Sequence, residues 1–270
     1  MCPEGNSYLN PFSENSYDTP DNCRRFLSDR LLLGNRFSFY IRNFHVFIQT
    51  GIHGKKGTLD RERQISQSCK NIRIVEGCGG KIHLRGLNHL SKFEGPALLI
   101  GNHMSLLETA LFHAFVRPRR DITFVIKKSL LDVPFFGDIM RSLGAIAVGR
   151  KNPKDDFKIV MSEGKKVLNS GKSIILFPQS TRSEKFEPES FNTIGIKLAR
   201  SAKVPVIPFA LKTDFLGNGA LIRDLGPVRR DREIYFEFAE PIMEISGTGK
   251  EEHNRIVEFI QLKLKEWQKK

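Results

Sequence analysis

Cysteine, tryptophan and long apolar runs are all scarce in this 270-residue chain. Its four cysteines, Cys2, Cys23, Cys69 and Cys78, make no Cys-x-x-Cys pair and match no zinc spacing. Four in a chain of this length are too few for a disulfide framework, so unpaired thiols inside a cell are expected, and no metal site. The longest apolar runs, such as residues 173–177, are strand-sized. None approaches the roughly 18–20 residues of a spanning helix. A polar stretch follows Met1, so no signal peptide is expected. Acidic residues are also in the minority, 30 Asp and Glu against 43 Lys and Arg, for a net charge of +13. That excess suits nucleic acid, an anionic membrane surface or a phosphorylated substrate, and does not choose among them. The 40% hydrophobic content excludes wholesale disorder.

Along the chain, residues 1–25 are rich in Asn, Ser, Pro, Asp and Glu and read as a flexible arm. Residues 26–50 are aromatic and apolar nearly all round, with Arg24, Arg25, Arg30, Arg36 and Arg42 interspersed. Such a segment either packs on its own domain or lies in a membrane interface with arginines at the headgroups. Gly34 and Asn35 split it into two short helices, and the glycines and lysines of 51–57 read as a linker. From 58 to 270, short apolar runs alternate with helical patterns, which predicts an α/β domain with a central, mostly parallel sheet flanked by helices. Strands are expected near 81–85, 97–100, 122–126, 145–148, 173–177, 204–211 and 234–238. Pro208 places the strand at 204–211 near an edge or a bend.

Four features follow predicted strands, where a parallel sheet brings functional groups to one crevice. Gly101-Asn102-His103 opens a turn before a helix, and Glu108 stands five residues after the histidine. A neutral imidazole there is suited to taking a proton from an alcohol, with the carboxylate fixing its tautomer. On one continuous helix the two would lie about 140° apart, so they meet only if His103 precedes the first helical residue. Gln179-Ser180-Thr181-Arg182 is a hydroxyl-rich turn with a guanidinium, suited to a phosphate. Arg150 and Lys127 end two further strands.

In this order the motifs resemble the glycerolipid acyltransferase family that includes 1-acylglycerol-3-phosphate acyltransferases. The family's Asn-His-x4-Asp is similar to Asn102-His103-x4-Glu108, and its Phe-Pro-Glu-Gly-Thr-Arg to Phe177-Pro178-Gln179-Ser180-Thr181-Arg182. Gly144–Arg150 and Val204-Pro205-Val206-Ile207-Pro208 resemble two further blocks, and the resemblance covers about residues 72–245. It implies acyl transfer from acyl-CoA or an acyl carrier protein to a lysophospholipid hydroxyl, with no cofactor and no acyl-enzyme. His103 is then the general base and Glu108 its orienting carboxylate. Lys127, Arg150, Gln179, Ser180, Thr181 and Arg182 touch substrate. The implied place is the cytoplasmic face of an anionic membrane, peripherally bound, with no nucleic-acid partner. Glu108, Gln179 and Ser180 depart from the family's Asp, Glu and Gly, so another lysolipid acceptor, or a binding protein without activity, stands as the alternative.

Overall fold

Three apolar runs become strands that are buried at every residue: β3 (Leu98–Gly101), β6 (Ser173–Leu176) and β7 (Val206–Lys212). Continuous rather than alternating burial is what a sheet covered on both faces demands. This is a computed structural model, and it describes residues 12, 14–179, 181–219, 222 and 224–268. The other strands are β1 (Tyr17–Asp18), β2 (Ile82–Arg85), β4 (Ile122–Lys127), β5 (Ile146–Val148) and β8 (Ile234–Phe238). Among the described residues they form one eight-stranded sheet, ordered β1-β2-β8-β7-β3-β6-β4-β5. The run β7-β3-β6-β4-β5 is parallel throughout, and β8 joins it antiparallel to β7. The carboxyl ends of five neighbouring strands therefore share one edge. The fold class is the predicted one.

The helices are α1 (Leu27–Leu31), α2 (Arg36–Lys55), α3 (Arg61–Gly77), α4 (Leu107–Phe115), α5 (Phe136–Ser142), α6 (Pro153–Asn169), α7 (Ile194–Ala202) and α8 (Lys250–Trp267). Local chemistry sets their starts. Asp60 caps α3 by accepting from the Arg63 N–H at 2.8 Å. Asn152 caps α6 ahead of Pro153, with Asp155 and Asp156 in the first turn, where the helix dipole favours carboxylates. In α8, Ile256, Ile260, Leu264 and Trp267 are buried at helical spacing.

Three expectations are corrected. The part of 1–25 that is described is not a loose arm. Phe12 is fully buried and meets the rings of Tyr17 and Phe115 edge-on. Tyr17 and Asp18 pair with Leu84 and His83, using backbone groups that an edge strand would otherwise leave open. Composition hides this, because two aromatics and one strand edge suffice to anchor a polar stretch. Residues 1–11 and 13 lie outside the described residues.

The segment 51–57 is not a linker either, since α2 runs to Lys55. A Cβ on Gly51 would sit 2.4 Å from the Phe135 Cβ, and one on Gly54 2.8 Å from the Asp138 carbonyl. These glycines serve close approach of α2 to α5. The predicted break at Gly34-Asn35 is present: Gly34 has φ +72° and Asn35 caps α2.

Third, of the edge or bend expected at Pro208 the edge is excluded, because β7 lies between β3 and β8. Phe209 pairs with Phe238 while Val206 bridges Ile242, so residues 239–241, just past β8, face residues 207 and 208 and the chain bulges where proline lacks a donor. The Pro208 carbonyl still accepts from the Ala239 N–H at 2.9 Å.

Candidate active site

Gly101 ends β3 so tightly against β7 that a Cβ there would lie 2.4 Å from the Phe209 carbonyl oxygen. The chain then turns. Asn102 is buried and bonds the backbone of Leu211 both ways, donating to its carbonyl at 2.8 Å and accepting from its N–H at 2.9 Å. His103 and Met104 occupy the turn, and α4 begins at Leu107. His103 therefore precedes the helix, as its pairing with Glu108 requires, and Glu108 sits in the first helical turn.

The carboxylate of Glu108 is fully buried. Its Oε2 bonds Nδ1 of His103. Its Oε1 accepts from the N–H groups of Met104 at 2.9 Å and Ser105 at 2.6 Å, and from the hydroxyl of Thr213. Ser105 Oγ in turn donates to Thr213 at 3.0 Å. The carboxylate thus has donors on both oxygens with no lysine or arginine as partner among the described residues. It assigns the proton of the neutral imidazole to Nδ1 and leaves the lone pair on Nε2, which has no hydrogen bond to any described residue. The ring lies flat on Phe177, centroids 4.2 Å apart and planes 16° apart, so its orientation is fixed on two sides. What results is a positioned base open on one nitrogen.

The next parallel strand, β6, brings the second motif beside it. Gln179 is buried, and its Oε1 accepts from the His103 N–H at 2.8 Å. The His103 carbonyl accepts from the Ser183 N–H at 2.9 Å. The two loops are thus stitched together on both sides of the histidine. Gln179 holds the base loop, a task that glutamate or glutamine can perform through one oxygen. Thr181 is exposed, with its N–H on the Gln179 carbonyl at 2.7 Å. Arg182 ion-pairs with Asp224 at 2.6 Å, on the loop that follows β7. Ser180 lies outside the described residues.

Lys127 and Arg150 stand exposed at the ends of β4 and β5, on the same edge. Arg150 is three strands from β3, roughly 14 Å at the usual spacing. No hydrogen bond or ion pair joins either to His103 among the described residues. Arg150 has φ +57°, a conformation costly for a side-chain-bearing residue. Asp156 supports it, accepting from the N–H groups of Gly149 at 2.8 Å and Arg150 at 2.9 Å.

Sequence reasoning missed Thr213, Ser105, Asp156 and Asp224. Thr213 follows β7, so the rule of strand ends that selected Lys127 and Arg150 reaches it too. The two aspartates carry no motif and are found only through the loops they hold.

Residues 81–212 match the family model described as Acyltransferase. A 1-acyl-sn-glycerol-3-phosphate acyltransferase of Pseudomonas aeruginosa is 33% identical over 138 residues, covering 51% of this chain and 51% of that protein. The Escherichia coli protein of the same name is 29% identical over 140 residues, covering 49% of this chain and 56% of its own. The chain thus spans about half the length of the curated relatives it matches. The crystal structure of the 1-acyl-sn-glycerophosphate (LPA) acyltransferase PlsC from Thermotoga maritima aligns with a TM-score of 0.65 at 19% identity. That alignment covers 90% of this chain and 98% of the other and shows a shared fold. The matched residues 81–212, which hold the histidine, its carboxylate and the basic strand ends, are thus similar to the family described as Acyltransferase.

Proposed function

We propose that this chain moves a fatty acyl group from acyl-CoA or an acyl carrier protein to the free hydroxyl of a lysophospholipid, 1-acylglycerol-3-phosphate first among them, giving phosphatidate. The carrying observation is His103, held by Glu108 through Nδ1 and free to accept at Nε2. Nε2 takes the hydroxyl proton as the oxygen attacks the thioester carbonyl. The C–S bond then breaks, and the imidazolium returns the proton to the departing thiolate. Glu108 stabilises the imidazolium, and no acyl-enzyme and no cofactor enter the cycle. Thr181 and the backbone of its turn position the acceptor or polarise the carbonyl.

The acceptor phosphate is assigned to Arg182 and Arg150, with Lys127 assisting. Phosphate reaches Arg182 by displacing Asp224, which holds the guanidinium meanwhile. Gln179 replaces the family's glutamate without removing the oxygen that the His103 N–H uses, which supports retained activity over a decayed binding protein.

The acceptor is an amphiphile, and α2 lies along the active edge. The Tyr40 hydroxyl donates to the Gly226 carbonyl at 2.8 Å, on the loop after β7, while Phe47 packs on Phe135 and Phe136 at α5. Phe37, Ile41, Phe44, Ile48 and Ile52 form an outward stripe, and Leu33 is 95% exposed. Among the described residues no helix is long and apolar enough to cross a membrane. The proposed place is therefore the surface of an anionic, cytoplasm-facing leaflet, with this stripe in the interface.

The test is His103→Ala with purified protein, acyl-CoA and 1-acylglycerol-3-phosphate, read by lipid mass spectrometry. Turnover should fall by about 10²–10⁴ with circular dichroism unchanged. A variant that keeps most of its activity removes the base assignment.

A further inference from the structure

Away from His103, a second concavity of about 540 Å³ opens where α1, α2 and α3 meet, and it shares no residue with the catalytic loops. Arg42 and His45 of α2 and Lys70 and Arg73 of α3 line it. Each pair has i,i+3 spacing, so each helix turns two basic side chains to one face. The Asn43 amide donates to Asn71 at 3.2 Å and fixes the helices side by side. No residue lining the cavity is acidic. Asp29 of α1 is buried and already paired with Arg25 and Arg230. Arg42 is held without any carboxylate, by the Ser28 hydroxyl at 2.9 Å and by the Phe26 ring, 4.1 Å from its centroid. Among the described residues no ion pair neutralises Arg42, His45 or Lys70. The Ser38 hydroxyl, also lining, is buried beside the Cys78 thiol.

With Arg42 and Lys70 on its wall and no carboxylate lining it, the cavity suits an anion. A phosphate monoester fits, with close to two negative charges and three terminal oxygens for guanidinium, ammonium, imidazole and hydroxyl donors. The rim identifies its carrier. Leu32 and Ile41 line the same cavity and are 48% and 66% exposed, continuous with the apolar stripe of α2. We infer that this cavity is a second lipid site, which takes the monoester headgroup of a phosphatidate-type phospholipid while its chains run along Leu32 and Ile41. It rests on the interface reading of α1 and α2 and is separate from the acceptor site.

The experiment is vesicle binding by the full chain. Three membranes are compared: phosphatidylcholine alone, and phosphatidylcholine with phosphatidate or phosphatidylglycerol at matched surface charge. Phosphatidate should tighten binding about tenfold beyond matched phosphatidylglycerol, and His45→Ala/Lys70→Ala should remove that gain. The double variant should bind pure phosphatidylcholine as the parent does. Lys250→Ala/Lys265→Ala on α8 should keep the phosphatidate gain, and so should Arg182→Ala. Equal gain from the two anionic lipids overturns the inference by showing smeared charge alone. Loss in Arg182→Ala overturns it by placing the effect in the catalytic cleft. Displacement by sn-glycerol 3-phosphate as strong as by short-chain phosphatidate overturns the lipid as source. Absence of binding to every vesicle refutes the interface reading and this inference together, whatever His103→Ala shows.

Discussion

Changing Glu108 to glutamine tests the base assignment through the tautomer of His103. The two oxygens of Glu108 have different tasks. Oε1 receives the Met104 N–H at 2.9 Å, the Ser105 N–H at 2.6 Å and the Thr213 hydroxyl, while Oε2 faces Nδ1. Glutamine offers one acceptor oxygen and one amino group. Placing the amino group at the Oε1 position sets it against two backbone donors, at about 1–3 kcal/mol for each bond left unmade. Placing it at Oε2 opposes one ring nitrogen, which can shed its proton. The second arrangement wins. Nδ1 then accepts, the ring proton moves to Nε2, and the nitrogen meant to take the substrate proton already carries one. The expected loss in kcat is about 10⁴, the scale seen when the buried carboxylate behind a catalytic histidine becomes an amide, or about 5 kcal/mol of barrier. KM for both substrates should hold. Glu108→Asp keeps an anion and hence the tautomer, so its loss should stay below about 100-fold. Thiol release gives the rates, and ¹⁵N shifts of the His103 ring report which nitrogen is protonated. A glutamine variant within tenfold of the parent, or one with the proton still on Nδ1, refutes the reasoning.

Two further outcomes follow from packing and burial. His113 of α4 is buried and its Nδ1 has no partner among the described residues. Burial first, then the Arg117 charge, pushes its pKa down from 6.5 to about 3. The unfolded chain thus binds a proton that the folded chain refuses, and stability should fall by about 1.4 kcal/mol per pH unit as pH drops below 6.5, ending near the folded value. Denaturant melts of His113→Phe between pH 6.5 and 5 should lack that slope, and parallel slopes for parent and variant refute it. Gly101→Ala should lower stability by about 1–3 kcal/mol, because the new methyl would meet the Phe209 ring and carbonyl at 2.3–2.4 Å. An unchanged thermal midpoint contradicts the close approach.

Period and length were enough to read most of the fold. Leu98–Gly101, Ser173–Leu176 and Ile234–Phe238 announce themselves as strands by apolar runs or alternation, and α8 by its stripe. What escaped depends on partners distant in sequence. Gly51 and Gly54 look like linker residues until α5 is seen against them, and Phe12 looks like part of a polar tail until Phe115 receives it. Pro208 argues for an edge or a bend by its missing donor, and a bulge just past β8 absorbs the defect. For the site, motif order marked His103, Glu108 and the turn after β6, but not that Gln179 reaches back to the histidine loop. Thr213 is 108 residues from Ser105, and no local pattern connects two hydroxyls so far apart.

The reversal of direction at β8 divides the molecule's tolerance for change. Loops after β3, β4, β5, β6 and β7 gather at one rim, whereas those after β2 and β8 leave from the opposite rim. Gly95, between β2 and β3, has φ +84° and open space around its α-carbon. An epitope or fluorophore grafted there projects away from the histidine and away from α2. The same sheet that concentrates reactive groups on one margin leaves the other as a handle, by which the protein can be held or observed without touching what it does.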